Sequence, residues 1–334
     1  MQLLTSLAVA GPEAVELLRF IPEEQRERIN EKATSLLKLE GEKRIPFVVS
    51  QLKELLSGDN IGFDKIEPSW ILDELLEEEP ISIGILLITL PPNTTKICIK
   101  MLPDTIREQL PPRSAVIETP PLVQKAALRQ FESRFTPMPC FGALREFQFQ
   151  DLLRLESSDW HQLLNVIGKV EVGQAFVSVG KMALVDFCRQ LSATDAENLL
   201  ATVKRHPEMT PEEIKTGQRF LSRIAGSFKA MDELFSCASL WRLAKATYGE
   251  PKRFTQQIAL RIPRKWGIQY LDYLEKIPEM DDLNPQDFLN YQDSILIELI
   301  HLIHNQAINF QMGKANIVMN TPDRYKNAST ANDN

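Results

Sequence analysis

The sequence predicts an all-α protein assembled from short helical repeats, and two observations lead to this prediction. The 334-residue chain has 14 glycines and 7% aromatic residues, and it is rich in Leu, Ile, Glu and Lys, a mixture that favours helix. A helix–corner–helix phrase also recurs, as IPEEQRERI at 21–29, LPDTIREQL at 102–110 and, more weakly, ALRIPRKWGIQYL at 259–271. Proline suits the first turn of a helix, so each phrase marks the end of one helix and the start of the next. Such recurring units are typical of repeat proteins whose neighbouring units share one core.

Composition and charge indicate an ordinary soluble protein with two or three domains. Apolar residues make up 43% of the chain and charged residues 25%, with a net charge of −7. The negative charge argues against nucleic-acid binding, because little basic surface is left to neutralise phosphates. The cysteines are far apart and lack CxxC spacing, which predicts reduced, buried thiols rather than disulfides or a zinc site. They are Cys98, Cys140, Cys188 and Cys237.

Neither secretion nor membrane spanning is expected. Residues 1–10 contain a short apolar run but lack the basic region and cleavage pattern of a signal peptide. The most apolar run, ISIGILLITL at 81–90, is too short to span a bilayer and is ended by two prolines.

Helical periodicity continues through the first half of the chain. Residues 14–58 predict three helices, and the turn-rich SGDNIGFD at 57–64 separates them from the next block. WILDELLEEEP at 70–80 is amphipathic, with an apolar stripe on one face. The stripe consists of Ile71, Leu72, Leu75 and Leu76. Pro80 then opens a buried helix, helices 92–101 and 103–110 follow, and a rigid connection at 111–121, with Thr119 as the expected N-cap, leads to a helix at 122–135.

The second half begins after TPMPCFG at 136–142, which predicts a domain boundary. LREFQFQDLLRL at 144–155 alternates briefly before turning helical, and short helices are expected at 157–167, 171–179, 182–191 and 192–205. Ser192 and Asp195 resemble a capping box. Thr210 and Pro211 predict the start of a helix that extends to about Phe228. A further helical block spans 231–310, and the stretch from Gly313 onward has no periodicity and is expected to be disordered.

The order of these segments resembles the flagellar motor switch protein FliG family. In LLEEEPISIGILLITLPPNTTKICIKMLPDTIREQLPPR, Glu78 and Pro80 match the family's Glu-His-Pro-Gln motif, although Glu79 and Ile81 replace its His and Gln. The family's distant motif arginine falls on Arg113. ETPPLVQKAALRQFESRF resembles the Val-Ser-Pro-Glu-Val helix that closes the family's middle domain.

A second part of the resemblance lies after the boundary. FQFQDLLRLESSDWHQLL at 147–164 is similar to the family's Phe-x-Phe-Glu-Asp-Leu-Leu signature, with Phe147, Phe149, Asp151 and Leu152 at the signature positions. The helices that follow, through about residue 228, track the family's C-terminal domain. The start of the chain, SLAVAGPEAVELLRFIPEEQRERI, is similar to its N-terminal domain.

The resemblance implies armadillo-like helical repeats and short bundles arranged as an elongated, multi-domain right-handed superhelix. Its domains would be an N-terminal-like domain at 1–62, a middle-like armadillo domain at 68–135, a C-terminal-like domain at 140–228, an additional helical domain at 229–310 and a disordered tail at 311–334.

The implied function is a scaffold in the cytoplasmic ring, or sorting platform, of a type III secretion or flagellar apparatus, at the cytoplasmic face of the bacterial inner membrane. The N-terminal domain would dock a FliF- or SctJ-like inner-membrane ring protein, and other parts a FliM-, FliN- or SctQ-like cytoplasmic ring protein, with self-association. The implied partner-binding residues are Glu78, Pro80, Arg113, Phe147, Phe149 and Asp151.

Departures from the family argue against torque generation. Thr194, Ala201 and Thr202 occupy positions where motile members carry charges that face the stator, and a charge-driven interface needs those charges. The family's hinge segment is missing, and residues 229–310 lie outside its pattern. The alternative is a soluble helical-repeat adaptor related to the N-terminal domain of the MgtE magnesium transporter and unrelated to secretion, since that domain has similar Leu-Pro corners.

The sequence gives little support to an enzymatic function. No Gly-rich phosphate loop, GxSxG, HExxH or kinase pattern occurs, so we predict a protein that is not an enzyme, uses no cofactor and has only shallow grooves between helices. Glu298, His301 and His304 could share a helix face as metal ligands, but an aliphatic stripe beside them favours a structural role. Cys188 with His161 or His206 could form a nucleophile pair, yet its apolar surroundings favour the core.

Overall fold

The computed structural model describes residues 62–320 except positions 140, 143, 207–209, 225–230, 281–284 and 313–314. The chain divides into two compact units, Met1–Ile61 and Gly62–Asn334, and every described residue belongs to the second. The predicted N-terminal domain at 1–62, apart from Gly62, therefore lies outside the described residues, together with its predicted docking role and the first copy of the corner phrase.

The described residues are almost entirely helical, which confirms the all-α prediction. The helices are α1 (Pro68–Leu76), α2 (Pro80–Thr89), α3 (Pro92–Met101), α4 (Asp104–Arg107), α5 (Arg113–Ile117), α6 (Pro121–Glu132), α7 (Ser157–Val179), α8 (Lys181–Cys188), α9 (Ala193–Arg205), α10 (Pro211–Ile224), α11 (Met231–Thr247), α12 (Lys252–Arg261), α13 (Arg264–Met280) and α14 (Pro285–His304). Two short strands, β1 (Glu146–Phe147) and β2 (Asn316–Ile317), complete the set. The arrangement as an armadillo-like superhelix stays a prediction.

The second and third copies of the corner phrase form the predicted corners. Leu102 and Ile262 end α3 and α12 in extended conformation, with ψ of 136° and 158°. Each precedes a proline, whose ring disfavours the helical conformation for the residue before it. The helix therefore stops there, and the next one begins within two residues. The predicted cap at Ser192 is also confirmed, because its hydroxyl accepts a hydrogen bond from the Asp195 backbone N–H at 3.1 Å.

Several boundaries differ from the prediction. Residues 157–167 and 171–179 belong to one continuous helix, α7. Gly168 and Gly173, which interrupt the apolar pattern, lie at contacts between helices and not at a turn. The connection at 111–121 contains the one-turn helix α5, and Pro120, not Thr119, occupies the N-cap of α6. The stretch after Gly313 is not free of structure, since β2 pairs in parallel with β1 and the Val318 N–H donates to the Phe147 carbonyl at 2.9 Å. Residues 321–334 lie outside the described part.

The helices of the second half of the chain share one hydrophobic core. It contains Leu163 and Ile167 of α7, Trp241 of α11, Tyr270 of α13 and Ile295 of α14, each at most 3% exposed. Segments assigned by the family resemblance to 140–228 and 229–310 thus contribute to the same core. The division into family domains stays a prediction.

The corner after Ile262 holds the first half against this core. The last carbonyls of a helix lack intrahelical partners, and here they accept hydrogen bonds from the α1 region. The Trp70 indole Nε1 donates to the carbonyls of Ala259 at 3.0 Å and Ile262 at 2.9 Å. The Glu67 N–H donates to the Leu260 carbonyl at 2.8 Å. The repeat corner therefore serves as the attachment point for α1.

Helices α7 and α11 approach closely because a glycine stands where they cross. A Cβ added at Gly168 would lie 2.2 Å from the Phe235 carbonyl oxygen and 3.2 Å from the Ser239 Cβ. No side chain fits at that position, so only glycine permits this helix spacing.

A buried ionic cluster lies one turn further along α7. Glu171 accepts hydrogen bonds from Arg242 Nη1 at 2.8 Å and from Lys245 Nζ at 2.6 Å, and all three side chains are at most 4% exposed. Arg242 also donates to the Ser294 hydroxyl of α14 at 2.6 and 2.9 Å, and Lys245 lies 4.1 Å from the centre of the Tyr291 ring. Burial raises the pKa of Glu171, but the two cations outweigh burial and hold that pKa below its usual value. The cluster ties α7, α11 and α14 together.

We expect Gly168→Ala to lower the free energy of unfolding by about 2 kcal/mol, because the new methyl group forces α7 and α11 apart. Urea denaturation measures this loss. Gly142→Ala is the matched control, since a Cβ there meets no atom within 4 Å. Equal stabilities of the two variants would contradict the close helix approach.

We expect Glu171→Gln to cost about 3–5 kcal/mol of unfolding free energy, because it removes the carboxylate that two buried cations contact. Asp272→Asn provides the comparison, since Asp272 pairs with Lys276 at 2.5 Å on the surface, where both side chains are about half exposed. Exposed pairs contribute less than about 1 kcal/mol. Urea denaturation of both variants should therefore show a much larger loss for Glu171→Gln, and a loss no larger than that of Asp272→Asn would refute the role of the cluster.

Candidate functional site

Two of the predicted partner-binding residues, Pro80 and Arg113, begin helices of the first half, and Glu78 lies in the turn between α1 and α2. Pro80 begins α2, and Arg113 begins α5 with its side chain exposed. Glu78 forms an ion pair with Arg134, which also bonds Glu74 Oε2 at 3.2 Å. Helix α2 packs against both α5 and α6, so the three residues belong to one group of helices. Arg134 was not predicted, because nothing in the sequence relates it to a glutamate 56 residues earlier.

The other three predicted residues form an internal structure. Phe147 and Phe149 are 0% and 3% exposed, and their rings pack against Phe310 at 5.4 Å and Phe254 at 6.1 Å. Both rings therefore fill the chain's own core, where a partner has no access to them. Their assignment to partner binding stays a prediction.

Asp151 caps the short 3₁₀ helix that follows β1. Its carboxylate accepts from the Gln148 backbone N–H at 3.0 Å and from Arg154 Nε at 2.6 Å. This capping box fixes the turn that carries Phe149 into the core. In this geometry, Asp151 stabilises the local turn.

Exposed apolar side chains concentrate in the first half of the described unit. Of the sixteen large apolar residues exposed among the described positions, nine lie between Leu76 and Val123. Leu122 is 81% exposed at the start of α6, Ile117 is 58% exposed at the end of α5, and Ile81 is 58% exposed at the start of α2. Ile117 lies one helical turn after Arg113, on the same face of α5. We call Ile81, Ile117 and Leu122, with the neighbouring Ile88 and Val123, the N-terminal apolar surface.

The helix that corresponds to the family's torque helix is α9. Thr194 and Ala201 are exposed on it, as predicted for positions that replace surface charges. Thr202 is only 3% exposed, and its hydroxyl donates to the Leu199 carbonyl at 2.7 Å. Thr202 therefore points into the helix packing and not into solvent.

The candidate metal ligands are engaged in other contacts. Glu298 is fully buried and accepts from Arg205 Nη2 at 2.6 Å, and it is bonded to His206 Nε2 at 2.9 Å. His301 is bonded to the Asn305 side chain at 2.9 Å. Within the described part of the chain, no group of three or more His, Cys, Asp or Glu side chains is placed to hold a metal ion.

The candidate nucleophile pairs also have separate surroundings. Burial raises the pKa of the Cys188 thiol, which is the opposite of the change that activates a nucleophile. His161 stacks on Trp266 with ring centres 5.4 Å apart, while His206 is bonded to Glu298. Neither histidine is thereby oriented as a base for Cys188.

A cleft of about 650 Å³ lies between the α1–α3 region and the start of α7. Polar and charged residues dominate part of its lining: Asp64, Lys65, Asn93, Arg154, Ser158 and Arg261. The cleft was not predicted, because these residues come from four separate segments that only the tertiary packing brings together.

None of the described helices has the length and apolarity needed to cross a membrane. Comparison with protein-family models, with curated proteins and with solved structures finds no match to this chain.

We expect the stability of the protein to fall as the pH drops below about 6.5, because of His206. Burial lowers the pKa of His206, and the nearby Arg242 and Arg205 add to this effect against the opposing carboxylate of Glu298. An unfolded histidine has a pKa of about 6.5, so at lower pH the unfolded chain binds a proton that the folded protein does not. The contribution to stability is thus complete above that pH and decreases below it. Between pH 7.5 and 5.5 the loss should be about 1 kcal/mol.

Urea denaturation at several pH values measures this effect. For each variant, the free energy of unfolding at low pH is compared with that of the same variant at pH 7.5. His206→Gln should reduce the loss, whereas His161→Gln, which changes an exposed side chain, should retain it. An unchanged pH dependence in His206→Gln would show that another group is responsible.

Proposed function

We propose that this chain is a FliG-like scaffold protein at the cytoplasmic base of a type III secretion or flagellar apparatus. In this role it links a FliF- or SctJ-like inner-membrane ring protein to cytoplasmic ring proteins, binds further copies of itself and generates no torque. It acts by binding and catalyses no reaction. Its residues 68–135 serve as an armadillo-like module of a superhelical assembly.

The N-terminal apolar surface is the observation that carries this proposal. Exposed patches of large apolar side chains are typical of protein interfaces, and here Ile81, Ile117 and Leu122 lie on helices that pack together and carry part of the family's partner motif. Ile81 directly follows Pro80, and Ile117 shares a face of α5 with Arg113. Nine of the sixteen exposed large apolar residues at described positions lie between Leu76 and Val123, and α2, α5 and α6 each expose at least one of them.

Charge at the edge of this surface indicates the kind of partner. Glu77 is 71% exposed and lies 4.0 Å from Arg134, and Glu79 is exposed, so acidic side chains border Pro80 on the α1 side. We therefore propose a FliM-, FliN- or SctQ-like ring protein that presents an apolar patch beside basic residues. The absence of charge at Thr194 and Ala201 supports a role without torque, since a charge-driven stator contact has nothing to engage at these positions.

The test measures binding of the full-length protein to the cytoplasmic ring protein of the same organism by calorimetry. We expect Ile81→Glu and Leu122→Glu each to weaken binding at least about tenfold, because each places a charge in an apolar contact. Both residues lie in the first turn of a helix, where an acidic side chain is favourable, so the variants should fold. Light scattering with size-exclusion chromatography tests self-association with the same variants.

Met182→Glu is the matched control. Met182 is 69% exposed and also lies in the first turn of its helix, α8, but it is not part of the N-terminal apolar surface. Equal losses in all three variants, or no binding by the unmodified protein, would contradict the proposal. A lack of binding together with a strict monomer would favour the adaptor unrelated to secretion.

A further inference from the structure

Two helices begin at the cleft without a side-chain cap. Asn93 and Thr94 in the first turn of α3, and Ser157 and Ser158 in the first turn of α7, line its wall. Neither helix has a side-chain hydrogen bond at its N-cap. The first N–H groups of a helix lack intrahelical partners and carry a partial positive charge. The first turns of two helices therefore border one cavity.

A buried arginine lines the same cleft. Arg261 is 4% exposed, its Nη1 donates to the Lys65 carbonyl, and its Nε has no hydrogen-bond partner. Burial lowers the pKa of Arg261 to about 10, opposed by the carboxylates of Asp64, Glu156 and Asp159. A buried cation with an unsatisfied donor is costly, and an anion that contacts it would offset that cost.

The charges around the cleft include both signs, and the buried Asp159 in the first turn of α7 adds a carboxylate near Arg261. Asp64 and Glu156 are exposed to solvent, and Lys65 and Arg154 line the same cavity with opposite charge. Arg154 is also engaged by its own ion pair and by a hydrogen bond to a backbone carbonyl at 3.0 Å. The donors left for a ligand are thus the Arg261 guanidinium and the two helix ends.

We infer that this cleft binds a small molecule through a phosphate group, which accepts hydrogen bonds from Arg261 and from the first turns of α3 and α7. Phosphate oxygens match both the planar fork of a guanidinium and the N–H groups of a helix end. The volume of about 650 Å³ exceeds that of a phosphate ion and falls within the usual range of small-molecule sites. The site is independent of the ring-protein surface proposed above.

Inorganic phosphate is the probe for the first experiment. We expect the Tm of the full-length protein to rise saturably with phosphate, relative to sodium chloride at equal ionic strength. Arg261→Met should weaken phosphate binding by about tenfold or more, because it removes a charge-assisted hydrogen bond. Arg253→Met, at an exposed position of the same helix, should bind as the unmodified protein does.

Asn93→Asp is a second test variant, and we expect it to fold. An acidic residue in the first turn suits α3, yet it brings a negative charge to the ligand and should weaken phosphate binding about fivefold. Calorimetric titration measures each affinity. No rise in Tm over the chloride control, equal binding in Arg261→Met and Arg253→Met, unaffected binding in Asn93→Asp, or stronger stabilisation by acetate than by phosphate would each overturn the inference.

Discussion

The salt-bridged cluster around Glu171 is the interaction on which the second half of the structure depends. A single carboxylate in the middle of α7 compensates two cations of α11, and one of these cations reaches a hydroxyl of α14. Buried charges tolerate little change in geometry, because each loses its hydration and must be satisfied inside the protein. The cluster therefore fixes which faces of the three helices meet. Gly168 precedes Glu171 by one turn and allows α7 and α11 to come close enough for these contacts.

The two halves of the described unit differ in how much of their apolar surface they bury. The helices after β1 enclose a continuous core, and the β1–β2 pair closes it near Phe147. The helices α1 to α6 form a thinner layer with a small core of their own, in which Phe63, Phe131 and Phe135 pack together. That layer is attached through Trp70 at the corner after Ile262, and it leaves its apolar surface exposed.

The same attachment creates the cleft. Because α1 hydrogen-bonds to the end of α12, the start of α3 comes to face the start of α7, and Arg261, next to that corner, is enclosed between them. The corner after Ile262 thus has two consequences in the fold. Its helix-end carbonyls accept hydrogen bonds from the α1 region, and Arg261 beside it lies near the starts of α3 and α7.

The sequence by itself determined the local features of this protein. Proline position and apolar spacing specify the corners at Leu102 and Ile262, the cap at Ser192 and the all-α class, because these depend on backbone sterics within a few residues. Tertiary structure alone decided the continuity of α7, since Gly168 is a helix breaker in isolation and a contact surface in the fold. It also decided that Phe147, Phe149 and Thr202 face inward, that Glu78 pairs with Arg134, and that Arg261 lies in a cleft. Those outcomes depend on contacts between residues far apart in the chain, for which a single sequence carries no local signal.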